Sequence, residues 1–239
     1  MRRSAESRLT LLSAPAGFGK TTLLAGWLRE AQGEVRCVAW LSLDSADSDP
    51  VSFWTYVVTA LQTAVPGVGS AALKPIASSP LPTDLVLSTV LNELAAVQHG
   101  VWLVLDDYHL VESQDVRDGM VFLLDHLPPQ VHVVISTRAD PDFPLPRWRV
   151  RGELLEIRAA DLRFTSEEAG SYFNGVAGLG LEAAEVAALE QRTEGWIAAL
   201  QLAALSRRAG RCRGLRRAVR WGRPVRRRLS GRGGAQASA

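Results

Sequence analysis

Residues 13–22 read SAPAGFGKTT, which is either a phosphate-binding loop or a glycine-rich turn. A phosphate-binding loop has Gly, four free positions, Gly, Lys and then Ser or Thr. Gly19, Lys20 and Thr21 match this pattern, whereas Ala14 stands where the first glycine is expected. The apolar run RLTLLS at 8–13 precedes the stretch, and TTLLAGWLREAQ follows it with helical periodicity. A strand, a glycine turn and a helix in this order favour a phosphate-binding loop over a chance turn.

The loop predicts which atoms would hold a nucleotide. Glycines allow the backbone to approach a phosphate closely, and the start of the following helix attracts anions. We expect Lys20 to reach the β- and γ-phosphates and the Thr21 hydroxyl to ligate Mg²⁺. Ala14 is compatible with this role if its φ is negative. The expected nucleotide-binding residues are Ala14, Pro15, Ala16, Gly17, Phe18, Gly19, Lys20, Thr21 and Thr22.

Two carboxylates follow the most strand-like run of the chain, VWLVL at 101–105. A carboxylate at the carboxyl end of a neighbouring strand can hold Mg²⁺, and we expect Asp106 to do so. Asp107 would then orient or deprotonate the attacking water. The alternative is a solvated acidic turn or a helix cap.

Arg138 ends the next predicted strand, in VVISTR. From that position an arginine can reach the γ-phosphate and distinguish ATP from ADP. The alternative is a surface arginine that pairs with Asp140 or Asp142.

The remaining pattern predicts a three-part chain. The proline-rich stretch ADPDFPLPRW at 139–148 is expected to be a loop, and three runs after residue 158 are expected to be helices: EEAGSYFN, LEAAEVAALEQR and GWIAALQLAALS. Up to LLEIR at 154–158, strand-like runs alternate with helical runs. This alternation predicts an α/β fold with a parallel sheet covered by helices on both faces. We therefore expect a P-loop nucleotide-binding domain at 1–158, a small helical subdomain at 159–206 and a basic tail at 207–239. The tail holds twelve arginines and no acidic residue, whereas all 25 acidic residues precede it.

Composition excludes several classes. The chain has 239 residues, of which 47% are hydrophobic, but no apolar run is long enough to span a membrane. The N-terminus has no signal-peptide pattern, and Cys37 and Cys212 have no metal-ligand spacing, which predicts a cytoplasmic protein. No Ser/His/Asp or Cys/His arrangement is suggested. The scattered histidines are interpreted as surface or packing residues, and five tryptophans as core residues: His99, His109, His126 and His132; Trp27, Trp40, Trp54, Trp102 and Trp196.

A family resemblance rests on five stretches within residues 8–206. They are SAPAGFGKTTLLAGWL, WLSLDSADSDPVSFWTYVVTAL, VWLVLDDYHLV, ISTRADPDFPLPRWRVRGELLEIRAADLRFTSEEA and TEGWIAALQLAAL. Together they resemble the ATPase module of the MalT-like large ATP-binding LuxR regulators. These are STAND-class signal-transduction ATPases related to NB-ARC and AAA+ modules. The resemblance includes an alanine at the position of Ala14.

The resemblance implies an ATPase that acts as a switch. It implies ATP or ADP with Mg²⁺ as ligands, self-association of the full-length regulator, and promoter binding by a C-terminal helix-turn-helix. Lys20 and Thr21 become nucleotide and Mg²⁺ contacts, Asp106 and Asp107 the acidic pair, and Arg138 the sensor. At most seven residues precede Arg8, where the family carries an adenine-contacting stretch.

The tail departs from the family, whose members continue into a winged helix, a repeat sensor and the helix-turn-helix. Permitted codons for Trp221–Gln236, read one nucleotide later, can encode a segment that resembles the family's winged-helix region. We therefore interpret the chain from about residue 209 as out-of-frame translation. The competing interpretation is an arginine-rich arm that binds nucleic acid by charge.

The first hypothesis is thus a truncated regulatory ATPase module with slow turnover and without sequence-specific DNA binding. The alternative is a stand-alone P-loop ATPase or a small-molecule kinase, and a third hypothesis is an inert fragment. A kinase would need a substrate pocket and lid arginines, whereas residues 159–206 resemble a helical STAND subdomain.

Overall fold

The sheet is built from parallel strands. The computed structural model describes residues 7–30, 36–72 and 83–208. Within them, the strands are β1 (Leu9–Ser13), β2 (Arg36–Ser42), β3 (Gly100–Asp106), β4 (Val131–Thr137) and β5 (Leu154–Arg158). These five strands form one sheet in the order β2-β3-β4-β1-β5, and all neighbours are parallel. The predicted α/β class with a parallel sheet is confirmed.

Helices connect the strands and continue after them. They are α1 (Lys20–Glu30), α2 (Pro50–Ala64), α3 (Thr83–Ala95), α4 (Gln114–Asp125), α5 (Leu145–Val150), α6 (Ser166–Ser171), α7 (Ala183–Thr193) and α8 (Ile197–Arg208). The start of α2 follows its sequence signal, because Asp49 caps the backbone N–H of Ser52 at 2.9 Å and Pro50 occupies the first turn. In the parts of the chain that the structure describes, no helix is long and apolar enough to cross a membrane.

Both faces of the sheet are buried. On one face, α2, α3, α4 and α5 contribute to the large apolar cluster, with Phe53, Leu87 and Met120 among its buried members. On the other face, α1 places Leu24 against Trp102 and neighbouring strand residues. Every residue of β1 and β4 is buried, as expected for central parallel strands covered on both sides.

The strand register brings the predicted site residues to one edge of the sheet. Ser13, the last residue of β1, pairs with Thr137 at the end of β4, and Asp106 at the end of β3 pairs with Ser42. Since the strands are parallel, the loops that follow them leave the same edge. The glycine loop, the acidic pair and Arg138 therefore start from neighbouring strand ends.

The helical region after β5 has an apolar cluster of its own. Phe173 and Leu200 are fully buried there, and Val186 joins them from α7. Helices lie at the three stretches predicted to be helical, although the first one ends in a π-turn at Tyr172–Val176. The domain boundary at residue 158 stays a prediction.

The stretch 139–148 differs from its prediction as a loop, because α5 begins within it. Pro146 lies in the first turn of α5, where a missing N–H costs no helical hydrogen bond. Leu145 and Trp148 are buried one turn apart, and the Trp148 Nε1–H donates to Asp125 Oδ1 at 2.8 Å. Burial of this apolar pair explains why a proline-rich segment is helical here. The predicted tail at 207–239 lies outside the described residues from residue 209 onward, and so does Cys212.

Candidate functional site

The glycine loop connects β1 directly to α1. Gly17 and Gly19 have φ values of 79° and 75°, which residues with a Cβ rarely adopt. Among the described residues, the non-glycine positions with positive φ are Asp107 and Glu194, so Ala14 lies outside that region. Ala14 is buried, and its N–H donates to the Thr137 carbonyl at 3.2 Å. An alanine therefore fits where the usual pattern has its first glycine.

Lys20 lies across this loop. Its Nζ donates to the carbonyl oxygens of Ala14 at 2.8 Å and Pro15 at 3.2 Å, and the residue is only 7% exposed. Burial is the main cause that lowers the pKa of Lys20, and Arg138 acts in the same direction, while Asp107 and Asp106 oppose it. The ammonium group thus lies among the charges of the predicted site.

Thr21 and Asp106, the two predicted Mg²⁺ ligands, are in direct contact. The Thr21 hydroxyl donates to Asp106 Oδ2 at 2.9 Å, and the Asp107 N–H donates to Asp106 Oδ1 at 3.1 Å. Asp106 is 2% exposed, so both of its oxygens are held in one orientation. A hydroxyl beside a carboxylate is a hard oxygen donor set that suits Mg²⁺, which keeps several waters and phosphate oxygens as further ligands. The described residues contain no group of three or more His, Cys, Asp or Glu that could hold a metal alone.

Asp107 has an unusual backbone. Its φ of 59° and ψ of 36° are left-handed, and it precedes the 3₁₀ turn Tyr108–Leu110 without a side-chain cap hydrogen bond. Its side chain is 41% exposed. The Asp107 side chain therefore does not cap the turn that follows it, as the helix-cap alternative requires. Such strain in a non-glycine residue often marks a functional site.

Arg138 follows β4 and is exposed. The acidic residues named as its alternative partners pair elsewhere: Asp142 contacts Arg117 at 2.5 Å, and Asp140 contacts Arg158. The charge of Arg138 instead contributes to lowering the pKa of Lys20 and of His109. Its position supports the sensor prediction, and its role stays a prediction.

Two residues of this site were not predicted from the sequence. The His109 side chain, 14% exposed, lies beside the acidic pair, with its Nδ1 atom 3.8 Å from Asp107 Oδ1. Trp196 packs on the loop, since a Cβ at Gly17 would lie 3.1 Å from its Nε1 and from Ala198 Cβ. The signal for His109 was its place two residues after the acidic pair. Trp196 is distant in sequence and gave no signal.

Comparisons with known proteins agree with the sequence analysis. No family model matches the chain. The chain is 33% identical over 211 residues to the serine/threonine-protein kinase PknK of Mycobacterium tuberculosis (strain ATCC 25618 / H37Rv), covering 88% of this chain and 19% of that protein. It is 35% identical over 206 residues to the HTH-type transcriptional regulator MalT of Yersinia enterocolitica, covering 85% and 22%. The resemblance to MalT-like regulators is confirmed, although the chain spans only about a fifth of the length of these relatives.

A solved structure agrees on the fold. The crystal structure of Cdc6p from Pyrobaculum aerophilum aligns with a TM-score of 0.53 at 18% identity, over 89% of this chain and 58% of that one. At this identity the likeness concerns the fold alone.

Proposed function

We propose that this chain, which belongs to the MalT-like family over 85% of its length, binds ATP and ADP together with Mg²⁺ at the glycine loop. One observation carries the proposal. Lys20 and Thr21 begin α1 after β1, Asp106 ends β3, and the two places meet, with Thr21 donating to Asp106 at 2.9 Å. Bound Mg²⁺ would neutralise phosphate charge and bridge the phosphate oxygens.

The loop residues would bind the phosphates. The N–H groups from Gly17 to Lys20 and the N-terminus of α1 offer donors and a positive helix end to the β-phosphate. Lys20 Nζ would exchange its two carbonyl partners for phosphate oxygens, which are stronger acceptors because they are charged. Thr21 and Asp106 would hold the cation from the protein side.

Asp107 and Arg138 would act on the γ-phosphate. The exposed Asp107 carboxylate is free of a cap bond to its own turn and would orient or deprotonate the attacking water. Arg138 would contact the γ-phosphate and distinguish ATP from ADP. We propose slow turnover, which suits a switch better than a metabolic enzyme.

The biological role proposed is that of a signal-transduction ATPase in a LuxR/MalT-type transcriptional regulator. The name of the Yersinia relative supports it, but the match covers 22% of that protein. Sensing, promoter binding and self-association would need more than the matched segment. For this chain we propose no sequence-specific DNA binding. Any affinity for DNA should be electrostatic, should ignore sequence and should fall steeply with salt.

Nucleotide titration tests the site. We expect Lys20→Ala to weaken MgADP and MgATP binding by about 10- to 100-fold, as estimated for a lost charged hydrogen bond. Isothermal titration calorimetry measures this. Arg117→Ala, which removes a partly exposed ion pair with Asp142, is the control and should leave the affinity unchanged. Equal affinity in the wild type and Lys20→Ala would contradict the site.

A kinase is the competing function. The name of the mycobacterial relative does not decide between an ATPase and a kinase, because the match covers 19% of that protein. Measuring ADP formation with and without small hydroxyl-bearing acceptors separates the two. A rate of ATP hydrolysis that the acceptors leave unchanged supports the regulatory ATPase. Turnover that depends on an acceptor, with formation of its phosphorylated product, supports the kinase.

A further inference from the structure

His109 is a half-buried residue whose two ring nitrogens are buried. Among the residues that the structure describes, neither Nδ1 nor Nε2 has a hydrogen-bond partner. Most buried polar side chains in proteins have a partner, and an exception needs a reason. For Nδ1, the candidate partner is the Asp107 carboxylate, whose Oδ1 atom lies 3.8 Å away.

The charges around His109 are those of the proposed nucleotide site. Burial is the main cause that lowers the pKa of His109; Arg138 and Lys20 lower it further, and Asp107 and Asp106 raise it. Around neutral pH the ring is therefore predominantly uncharged, so one nitrogen donates and the other accepts. A neutral donor can hold a carboxylate without neutralising its charge.

Asp107 needs such a donor. Its carboxylate is partly exposed, and its own turn gives it no cap hydrogen bond. A carboxylate that orients water must be held in one rotamer, and a neighbouring residue commonly provides this. A separation of 3.8 Å is longer than a hydrogen bond, but catalytic hydrogen bonds often shorten when the substrate is bound.

We propose that His109 is a positioning residue for Asp107, which it holds by donating the Nδ1 proton to the carboxylate when nucleotide is bound. This inference rests on the proposed ATPase function. The imidazole keeps its proton throughout and takes no part in bond breaking. Asp107 acts on the attacking water.

Substitution of His109 separates positioning from packing. At position 109, the side-chain amide nitrogen of Asn can lie near the place of Nδ1, and that of Gln near the place of Nε2. Leu has no hydrogen-bond donor. We expect His109→Leu and His109→Gln to lower the ATP turnover number about tenfold, a modest share of what a positioned catalytic group contributes. His109→Asn should retain most of the activity, and MgADP affinity should stay within about twofold in all three, because the phosphate contacts are untouched.

His126→Asn is the matched control, because His126 is exposed at the end of α4 and bonds to its own helix through the Phe122 carbonyl. It should keep full turnover. If His109→Leu binds MgADP and hydrolyses ATP at the wild-type rate, the positioning role is wrong while the nucleotide site stands. If the wild type binds no nucleotide, the proposed function itself fails.

The tautomer gives a second test that does not depend on turnover. In ¹⁵N-histidine NMR spectra with a non-hydrolysable ATP analogue and Mg²⁺, His109 should carry its proton on Nδ1. Comparison with His109→Asn assigns the signal. A proton on Nε2, with Nδ1 unprotonated, would overturn the proposal even if the protein does not hydrolyse ATP measurably.

Discussion

Two histidines, one buried and one half-buried, differ in how their ring nitrogens are paired. Near the start of β4, His132 is 5% exposed, its Nε2 lies 2.9 Å from the Thr10 hydroxyl, and its Nδ1 contacts the Ser7 carbonyl. Just after the acidic pair, neither ring nitrogen of His109 has a hydrogen-bond partner within the described part of the chain. A satisfied buried group contributes to stability, whereas an unsatisfied one beside charges is a candidate for a functional role.

The two histidines also differ in the groups that surround them. The His132 ring lies against the Trp102 ring on a face of the sheet, with ring centroids 4.4 Å apart. His109 lies among Lys20, Asp107 and Arg138, whose charges change the pKa of its ring. The first histidine should therefore matter for folding and the second for turnover, and substitutions at Asp107 and at the two histidines test this division.

The largest effect is expected at Asp107. Asp107→Asn keeps the size of the side chain but removes the charge, so ATP turnover should fall about 100-fold or more, as for loss of a general base. MgADP affinity should stay close to that of the wild type, which calorimetry measures. If the substitution abolishes binding instead, the division of roles between Asp106 and Asp107 is wrong.

A smaller effect, on stability, is expected at His132. His132→Leu leaves the Thr10 hydroxyl and the Ser7 carbonyl without this partner, which should lower the free energy of unfolding by about 1–3 kcal/mol. Urea denaturation measures it, and His126→Leu, at an exposed site, is the control. His109→Leu should lower stability less, because no hydrogen bond is lost. Equal losses at both histidines would contradict the comparison.

The smallest effect is expected at two glycines, one in the loop and one in α1. Gly17→Ala places a Cβ at positive φ against Trp196 and Ala198, and a left-handed alanine costs about 1–2 kcal/mol, so nucleotide affinity should fall roughly tenfold. Gly26 lies within α1, and a Cβ there would have none of the described residues within 4 Å. Gly26→Ala should instead stabilise the protein by about 0.5–1 kcal/mol, measured by urea denaturation, with unchanged affinity. A Gly17→Ala protein with wild-type affinity would show that the loop does not need this conformation.

Much of the architecture was predictable because its signals are local. The strand, glycine turn and helix around SAPAGFGKTT lie within one continuous stretch, and so does the carboxylate pair after VWLVL. The cap formed by Asp49 also depends on residues only three positions away. Hydrophobic periodicity and capping act over a few residues, which is the range that a sequence displays.

Features that were predicted wrongly, or not predicted at all, have a different cause. Helix α5 was predicted as loop because its prolines were visible, whereas the burial of Leu145 and Trp148 against other elements was not. Likewise, Asp140 and Asp142 were near Arg138 in sequence, yet they pair with Arg158 and Arg117.

The class of fold, the loop and the acidic pair follow from the amino-acid sequence alone, because they depend on local periodicity and on residues with unusual backbone or charge. Three contacts follow from the folded chain instead: Thr21 with Asp106, Trp196 with Gly17, and His109 beside Asp107. The pairing of His132 with Thr10 does so too. Such contacts arise because strand order and register bring distant residues together. These depend on how the whole core packs, and no short stretch of sequence records that.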